Sequence, residues 1–255
     1  MYTKLIQDFL NRQDYINVIP RAALIDMDGT LYDSMPSHAR AWQRMMAEVG
    51  IELPVEDFFR YEGRTGASTI NILFRKAFGR DATEQEVKDL YRRKTELFAA
   101  LDPVKPMPGA AEMLGFLEQI GIKRVLVTGS GQSSLLNRLN EDFPGAFALD
   151  MRVTSRDVTK GKPAPEPYFK GMELADVKPN ECIVIDNAPL GVESGHASGA
   201  FTIGVTTGPI ATEELKEAGA DIVFPSMHDL ADALPLLVYG LITTSRNYNL
   251  SLIHI

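Results

Sequence analysis

From Arg124 onward, short apolar runs alternate with segments of helical period, and no other feature constrains the fold as tightly. Residues 124–128, 151–154, 182–186, 201–205 and 221–224 predict strands, and residues 133–139, 165–174 and 191–198 predict helices between them. Alternation of this kind implies a parallel sheet covered by helices. An earlier apolar run, Ala22-Ala23-Leu24-Ile25, predicts a first strand. Between it and the rest, residues 52–102 carry only helical periodicity, so an α/β core is interrupted after its first strand by a helical insertion. Residues 37–49 open that insertion with Ala41, Trp42, Met45, Met46 and Val49 on one stripe, a core face. Thr83 with Glu86 three residues later is a capping-box pattern. The expected organisation is an N-terminal extension (1–20), a core (21–35 and 103–237), a helical cap (36–102) and a tail (238–255).

Composition narrows the function classes. The chain has 255 residues, 45% of them hydrophobic, enough for a full core. A formal net charge of -8 without a long Lys/Arg run argues against nucleic acid or an anionic membrane as the main partner. The single cysteine, Cys182, stands in an apolar run and reads as a buried strand residue, which fits a reducing compartment. The N-terminus lacks a signal-peptide pattern, and residues 233–242 are too short to span a bilayer. A soluble cytoplasmic protein, monomeric or weakly dimeric, is the expectation.

The first predicted strand ends in Asp26-Met27-Asp28-Gly29-Thr30. Two acids two residues apart share one side of an extended chain, and Gly29 permits the sharp turn after them. Acids closing an apolar strand are costly unless paired, and a hard dication is the natural partner. A carboxylate in such a place can also attack phosphorus. Thr128 ends another strand before Gly129-Ser130-Gly131, which makes an anion-binding corner or a helix cap. Lys162 sits in a loop stiffened by Pro163, Pro165 and Pro167, either aimed at an acid or exposed before a helix. Asp186-Asn187 ends a third strand, suited to an octahedral Mg²⁺ shell or to a turn. Ligands of parallel sheets bind at the carboxyl ends of the strands, where Asp28, Thr128 and Asp186 all fall.

In this order the four segments resemble the motifs of the haloacid dehalogenase (HAD) superfamily, over residues 20–235. The insertion resembles the C1 cap of its β-phosphoglucomutase-like branch, as do residues 161–166 and 187–191. The resemblance implies a Rossmann-like core with a helical cap, Mg²⁺ as cofactor, Asp26 as nucleophile and Asp28 as acid and base. It also implies that Thr128 and Lys162 hold the transferring phosphoryl group. Residues 62–72, 127–132 and 187–196 further resemble bacterial inorganic pyrophosphatases of this branch. That implies Glu62 of the cap and Asn187 as metal ligands beside Asp26, Asp28 and Asp186.

The chain departs from the branch in carrying Asp186-Asn187 where Glu-Asp is common. Gly66 stands where sugar-phosphate mutases carry a cap arginine. Lys94 and His38 nevertheless resemble a lysine and a histidine of those mutases, and Arg64 and Ser130 are further candidates for substrate contact. The expected activity is Mg²⁺-dependent hydrolysis of a small phosphorylated substrate, pyrophosphate first and a sugar phosphate second, with β-phosphoglucomutase activity as part of that second reading. A catalytically weak phosphate-metabolite binding protein is the alternative of another class.

Overall fold

The computed structural model describes residues 2–131 and 133–245. Six strands form one sheet: β1 (Ala22–Ile25), β2 (Lys123–Val127), β3 (Arg152–Val153), β4 (Cys182–Asp186), β5 (Phe201–Val205) and β6 (Ile222–Phe224). Their order is β3-β2-β1-β4-β5-β6 and every pairing is parallel. The chain runs from β1 outward to β3, then returns to the other side of β1 for β4. This makes β1/β4 the switch point at which such sheets open a crevice.

The strands are short, and the central ones β1, β4 and β5 are buried along their length, because both faces are covered. Ala23, Ile25, Ile183, Ile185, Phe201 and Ile203 face one layer, with α1 (Thr3–Gln13), α5 (Ala110–Gln119), α6 (Ser133–Asp142) and α10 (Met227–Thr243). Ala22, Leu24, Val125, Val127, Cys182 and Val184 face the other, with α7 (Glu166–Ala175). On that second face α8 (Pro189–Ala197) comes close to the sheet at Gly195, where a Cβ would stand 2.8 Å from Val184 Cγ1. A short helix, α9 (Thr212–Glu217), packs beside β6.

The insertion comprises α2 (Met35–Glu48), a 3-10 segment (Val55–Tyr61), α3 (Gly66–Phe78) and α4 (Glu84–Ala99), with its own apolar cluster around Met45, Met46, Phe58, Ile70 and Phe74. The capping box is present: Thr83 accepts from the Glu86 backbone N–H, and Glu86 accepts from that of Thr83.

Four elements among the described residues lie outside the pattern read from sequence: the 3-10 segment of the insertion, a second 3-10 segment (Pro179–Glu181) before β4, α5 and α9. The N-terminal segment is helical over Thr3–Gln13 and buries Ile6, Phe9 and Leu10, with Phe9 edge-on to Phe201 at 5.2 Å. α10 runs through Pro235 to Thr243, held by the buried stripe Leu230, Leu234, Leu237, Val238 and Leu241. Residues 246–255 lie outside the described residues. Among the described residues no helix is long and apolar enough to cross a membrane.

Candidate active site

The register places the site. Ile25 pairs with Leu126 on one side and Ile185 on the other, so Asp26 stands level with Asp186, with Thr128 just beyond β2. Gly29 adopts φ +84°, and a Cβ there would stand 2.0 Å from the Asn187 amide nitrogen, so both conformation and space require glycine. The Thr207 hydroxyl donates to the Gly29 carbonyl and fixes the turn from the β5 side.

Lys162 is fully enclosed. Its ammonium donates to Asp26 Oδ1 at 2.6 Å, Asp186 Oδ2 at 2.7 Å and the Val127 carbonyl at 3.2 Å, which uses all three N–H bonds. Asp186 also accepts from the Tyr168 hydroxyl at 2.6 Å and the Ala188 N–H at 2.9 Å. Burial pushes Asp26 upward from the usual carboxylate range; Lys162 opposes this, while Asp186 and Asp28 reinforce it.

Asp28 behaves differently. Its Oδ1 accepts from Ser34 Oγ at 2.7 Å and pairs with His38 Nε2 at 2.8 Å. His38 Nδ1 lies 2.6 Å from Lys94 Nζ. The Asp28 carboxylate can only accept, which assigns an imidazole proton to Nε2 and its donation to Asp28, and leaves Nδ1 to accept from Lys94. Burial alone would raise Asp28, but His38, Ser34 and Lys94 together hold it below its ordinary value. Burial also pushes His38 down, and Lys94 down to about 7. The rings of Phe98, Trp42 and Tyr91 surround the Lys94 ammonium at 5.2, 5.4 and 6.0 Å, and their faces favour its charge.

The cap is seated on the core. A Cβ at Gly129 would stand 2.5 Å from the Gly63 carbonyl, so the two loops touch backbone to backbone. Tyr91 Oη accepts the Gly131 N–H at 3.1 Å and bonds the Ser130 side chain. Its ring occupies the space beside Gly66, where a Cβ would stand 2.2 Å away. The absence of a side chain at Gly66 therefore makes room for the Tyr91 ring. Glu62 is 5% exposed; its Oε1 accepts from Asn187 Nδ2 at 2.7 Å while Oε2 is buried without a partner. Asn187 Oδ1 in turn accepts from Thr30 at 3.3 Å. Burial pushes Glu62 well above its ordinary value, with Asp26, Asp186 and Asp28 adding to the effect. Glu62, Asp26 and Asp28 line a small, partly open pocket of about 60 Å³. Arg64 lies on its wall with Nε buried and unpartnered, and Nη1 3.4 Å from Ser68.

The structure therefore brings together Asp26, Asp28, His38, Glu62, Lys94, Thr128, Lys162, Asp186 and Asn187, with Ser130 and Arg64 at the rim. Glu62 and Lys94, which fit solvated positions by sequence, are buried. Tyr91, Tyr168 and Ser34 join the site without a sequence signal of their own. His196 bonds the Gly219 carbonyl at 3.0 Å and Cys182 is buried in β4, both away from this chemistry.

No three of His, Cys, Asp and Glu among the described residues form a ready metal-binding group. A hard dication needs mixed oxygen donors instead. Glu62 Oε2 is buried without a partner, Oε1 is bonded to the Asn187 amide, and Asp26, Asp186 and Asp28 lie near enough to push Glu62 upward. Buried acids that push one another upward are the charge balance a dication relieves.

A parallel core that holds a lysine-clamped aspartate under a helical cap defines a capped phosphoryl-transfer enzyme of the α/β class. The haloacid dehalogenase-like hydrolase family matches residues 20–199, and the chain belongs to it. It is 31% identical over 208 residues to hexitol phosphatase A of Escherichia coli, covering 81% of this chain and 91% of that one. A phosphorylated carbohydrates phosphatase of Thermotoga maritima is 31% identical, with 78% and 91% covered. A solved Bacteroides vulgatus protein, provisionally described as a β-phosphoglucomutase, superposes with a TM-score of 0.91 at 45% identity, covering 94% and 98%.

Proposed function

We propose that this chain is a Mg²⁺-dependent phosphohydrolase acting through an aspartyl-phosphate, with inorganic pyrophosphate as preferred substrate. Asp26 attacks phosphorus and the bond to the leaving oxygen breaks. Lys162 turns an N–H from its longest contact, Val127, to the transferring oxygens, and Thr128 with the backbone N–H groups of its loop takes the rest of the charge. Asp28 then removes a proton from water as it cleaves the acyl phosphate. Asp26, the Asp28 carbonyl, Asn187 and Glu62 are the residues that would hold Mg²⁺, with Asp186 behind them through Lys162 or a water. When bound, the ion neutralises the phosphoryl oxygens and the crowded acids.

The observation that supports the choice of substrate is Glu62, a cap carboxylate on the pocket wall whose Oε1 accepts from Asn187 while Oε2 has no partner, suited to a metal ion beside a small anionic substrate. The Tyr91 ring narrows the pocket on the same side, filling the space beside Gly66. Asp28, held ionised by His38, is a better base than acid, which suits a leaving group that is already a stable anion. Arg64 provides countercharge for the outer phosphoryl group.

The second reading is a sugar-phosphate phosphatase or a β-phosphoglucomutase. The relatives act on phosphorylated carbohydrates by their descriptions, and the Lys94-His38-Asp28 chain could reprotonate Asp28 for an alkoxide. Complete pairing of Lys162 with Asp26 and Asp186 speaks against a protein that only binds. The deciding experiment is kcat/KM with Mg²⁺ across pyrophosphate, glucose phosphates and small phosphomonoesters. Pyrophosphate leads on this reading, and a hexose phosphate far ahead of it would reverse the order. Asp26→Asn abolishes phosphate release; a fully active variant would refute covalent catalysis.

A further inference from the structure

We infer that Tyr168 is a positioning residue for phosphoryl transfer, acting through Asp186 to keep Lys162 on the nucleophile. The inference rests on the phosphoryl-transfer reading and is independent of which phosphate is the substrate.

Tyr168 lies in the first turns of α7, six residues after Lys162, and is 0% exposed. Its ring belongs to the buried apolar cluster that includes Leu24, Val127 and Met172, where a phenylalanine would fill the same space. What phenylalanine would lack is the hydroxyl, which donates to Asp186 Oδ2 at 2.6 Å. That oxygen is the one to which Lys162 donates at 2.7 Å, and Lys162 donates onward to Asp26 Oδ1 at 2.6 Å. The four side chains form one buried line: phenol, carboxylate, ammonium, nucleophile. The Lys162 ammonium also sits 5.2 Å from the Tyr168 ring centroid.

The rest of the Asp186 carboxylate is fixed as well. Oδ1 accepts the Ala188 N–H at 2.9 Å, and Gly191 presses so close that a Cβ would stand 1.9 Å from Oδ2. The carboxylate cannot turn to another partner. Asp186 and Asp26 compete for one ammonium, and whichever is the better acceptor draws it. By donating to Oδ2, Tyr168 shares the charge of Asp186 and weakens its hold on Lys162. The ammonium then remains close to Asp26 and free to reach a phosphoryl oxygen. On the outer side, Glu166 accepts the N–H groups of Thr159 and Lys160 at 2.7 and 2.8 Å, so the lysine loop is held at both ends of the first turn of α7.

Tyr168→Phe keeps the packing and removes the donor. With Mg²⁺ and whichever phosphate the substrate panel shows to turn over, kcat falls about tenfold, the scale of one charge-assisted hydrogen bond. KM stays within about twofold because the hydroxyl does not touch substrate. A merely structural hydroxyl would leave kcat unchanged, and that result overturns the proposal while leaving the substrate assignment intact. A cycle with Asp186→Asn, read as beryllofluoride affinity by ¹⁹F NMR so that turnover is not required, tests the route. If Tyr168 acts through Asp186, its removal weakens beryllofluoride binding in the parent and not in the Asp186→Asn background. Equal losses in both backgrounds would overturn the assignment.

Discussion

Glu62→Gln should stabilise the metal-free protein and weaken its response to magnesium. Glu62 is buried, donates nothing, and leaves Oε2 without a partner while Oε1 accepts from Asn187. Glutamine keeps the shape and the acceptor, and replaces the orphaned oxygen with an amide that can donate to the neighbouring acids. A buried polar atom without a partner costs about 1–3 kcal/mol. At about 2–4 °C per kcal/mol for a chain of this size, the variant should melt at least about 2 °C higher in EDTA. The sign with pH follows from the raised Glu62. The native state holds its proton above the ordinary value of 4.5, so stability is fully present below that value and falls as pH rises through the raised one. The advantage of glutamine is therefore small in acid and grows toward neutrality.

Magnesium inverts the order. Binding at a hundred times Kd stabilises by about 2.7 kcal/mol. Losing one anionic ligand weakens binding, and each tenfold loss in affinity removes about 1.4 kcal/mol of that gain. Calorimetric melting in EDTA and in Mg²⁺, with titration calorimetry for the ion, reads both effects. A lower metal-free Tm for Glu62→Gln, or an equal magnesium shift in the two proteins, would refute the placement of Glu62 at the ion.

Three further outcomes are expected. Glu62→Ala should impair pyrophosphate cleavage more than Lys94→Ala does, measured as kcat/KM; the opposite order counts against the cap carboxylate. Asn187→Asp sets a second carboxylate against Glu62, now at 2.7 Å from the amide nitrogen, so its metal-free Tm should fall by several degrees and recover in Mg²⁺. Tyr91→Ala removes the ring from the pocket wall and the contact to Gly131, so the ratio of kcat/KM for glucose phosphate over pyrophosphate should rise at least about tenfold; an unchanged ratio would remove Tyr91 from substrate selection.

The parts of the site legible in the sequence are those whose signal is local. Asp26, Thr128 and Asp186 each close an apolar run, and parallel pairing then brings the run ends level without further information. Gly29 was legible as a turn, and the structure adds a second reason for it in the Asn187 amide. Tyr168 was not legible because a tyrosine on the apolar face of a helix reads as core, and its ring is core; only the oxygen differs. Tyr91 was hidden in the same way. Its stripe was nevertheless present: Tyr91, Lys94 and Phe98 fall at i, i+3 and i+7, one face of α4. The neighbours Arg92, Arg93 and Glu96 made that helix look solvated, and they do face outward, with Arg93 paired to Glu48.

That face gives Gly66 a physical reason. A side chain at Gly66 and the ring of Tyr91 cannot share one space, so the ring where it stands requires glycine there. With the ring in place, the cap contributes a wall, a hydrogen bond to the core loop and part of the cage around Lys94. The lysine is thereby held inside the cap and turned toward His38 Nδ1, and with His38 and Ser34 it helps hold Asp28 below its ordinary value. A group that could have recognised a distant phosphate is instead committed to the state of the base, and Arg64 is the remaining cap cation on the pocket wall. On the pyrophosphate reading, selection of a small, anionic leaving group and control of Asp28 would both follow from this one packing arrangement.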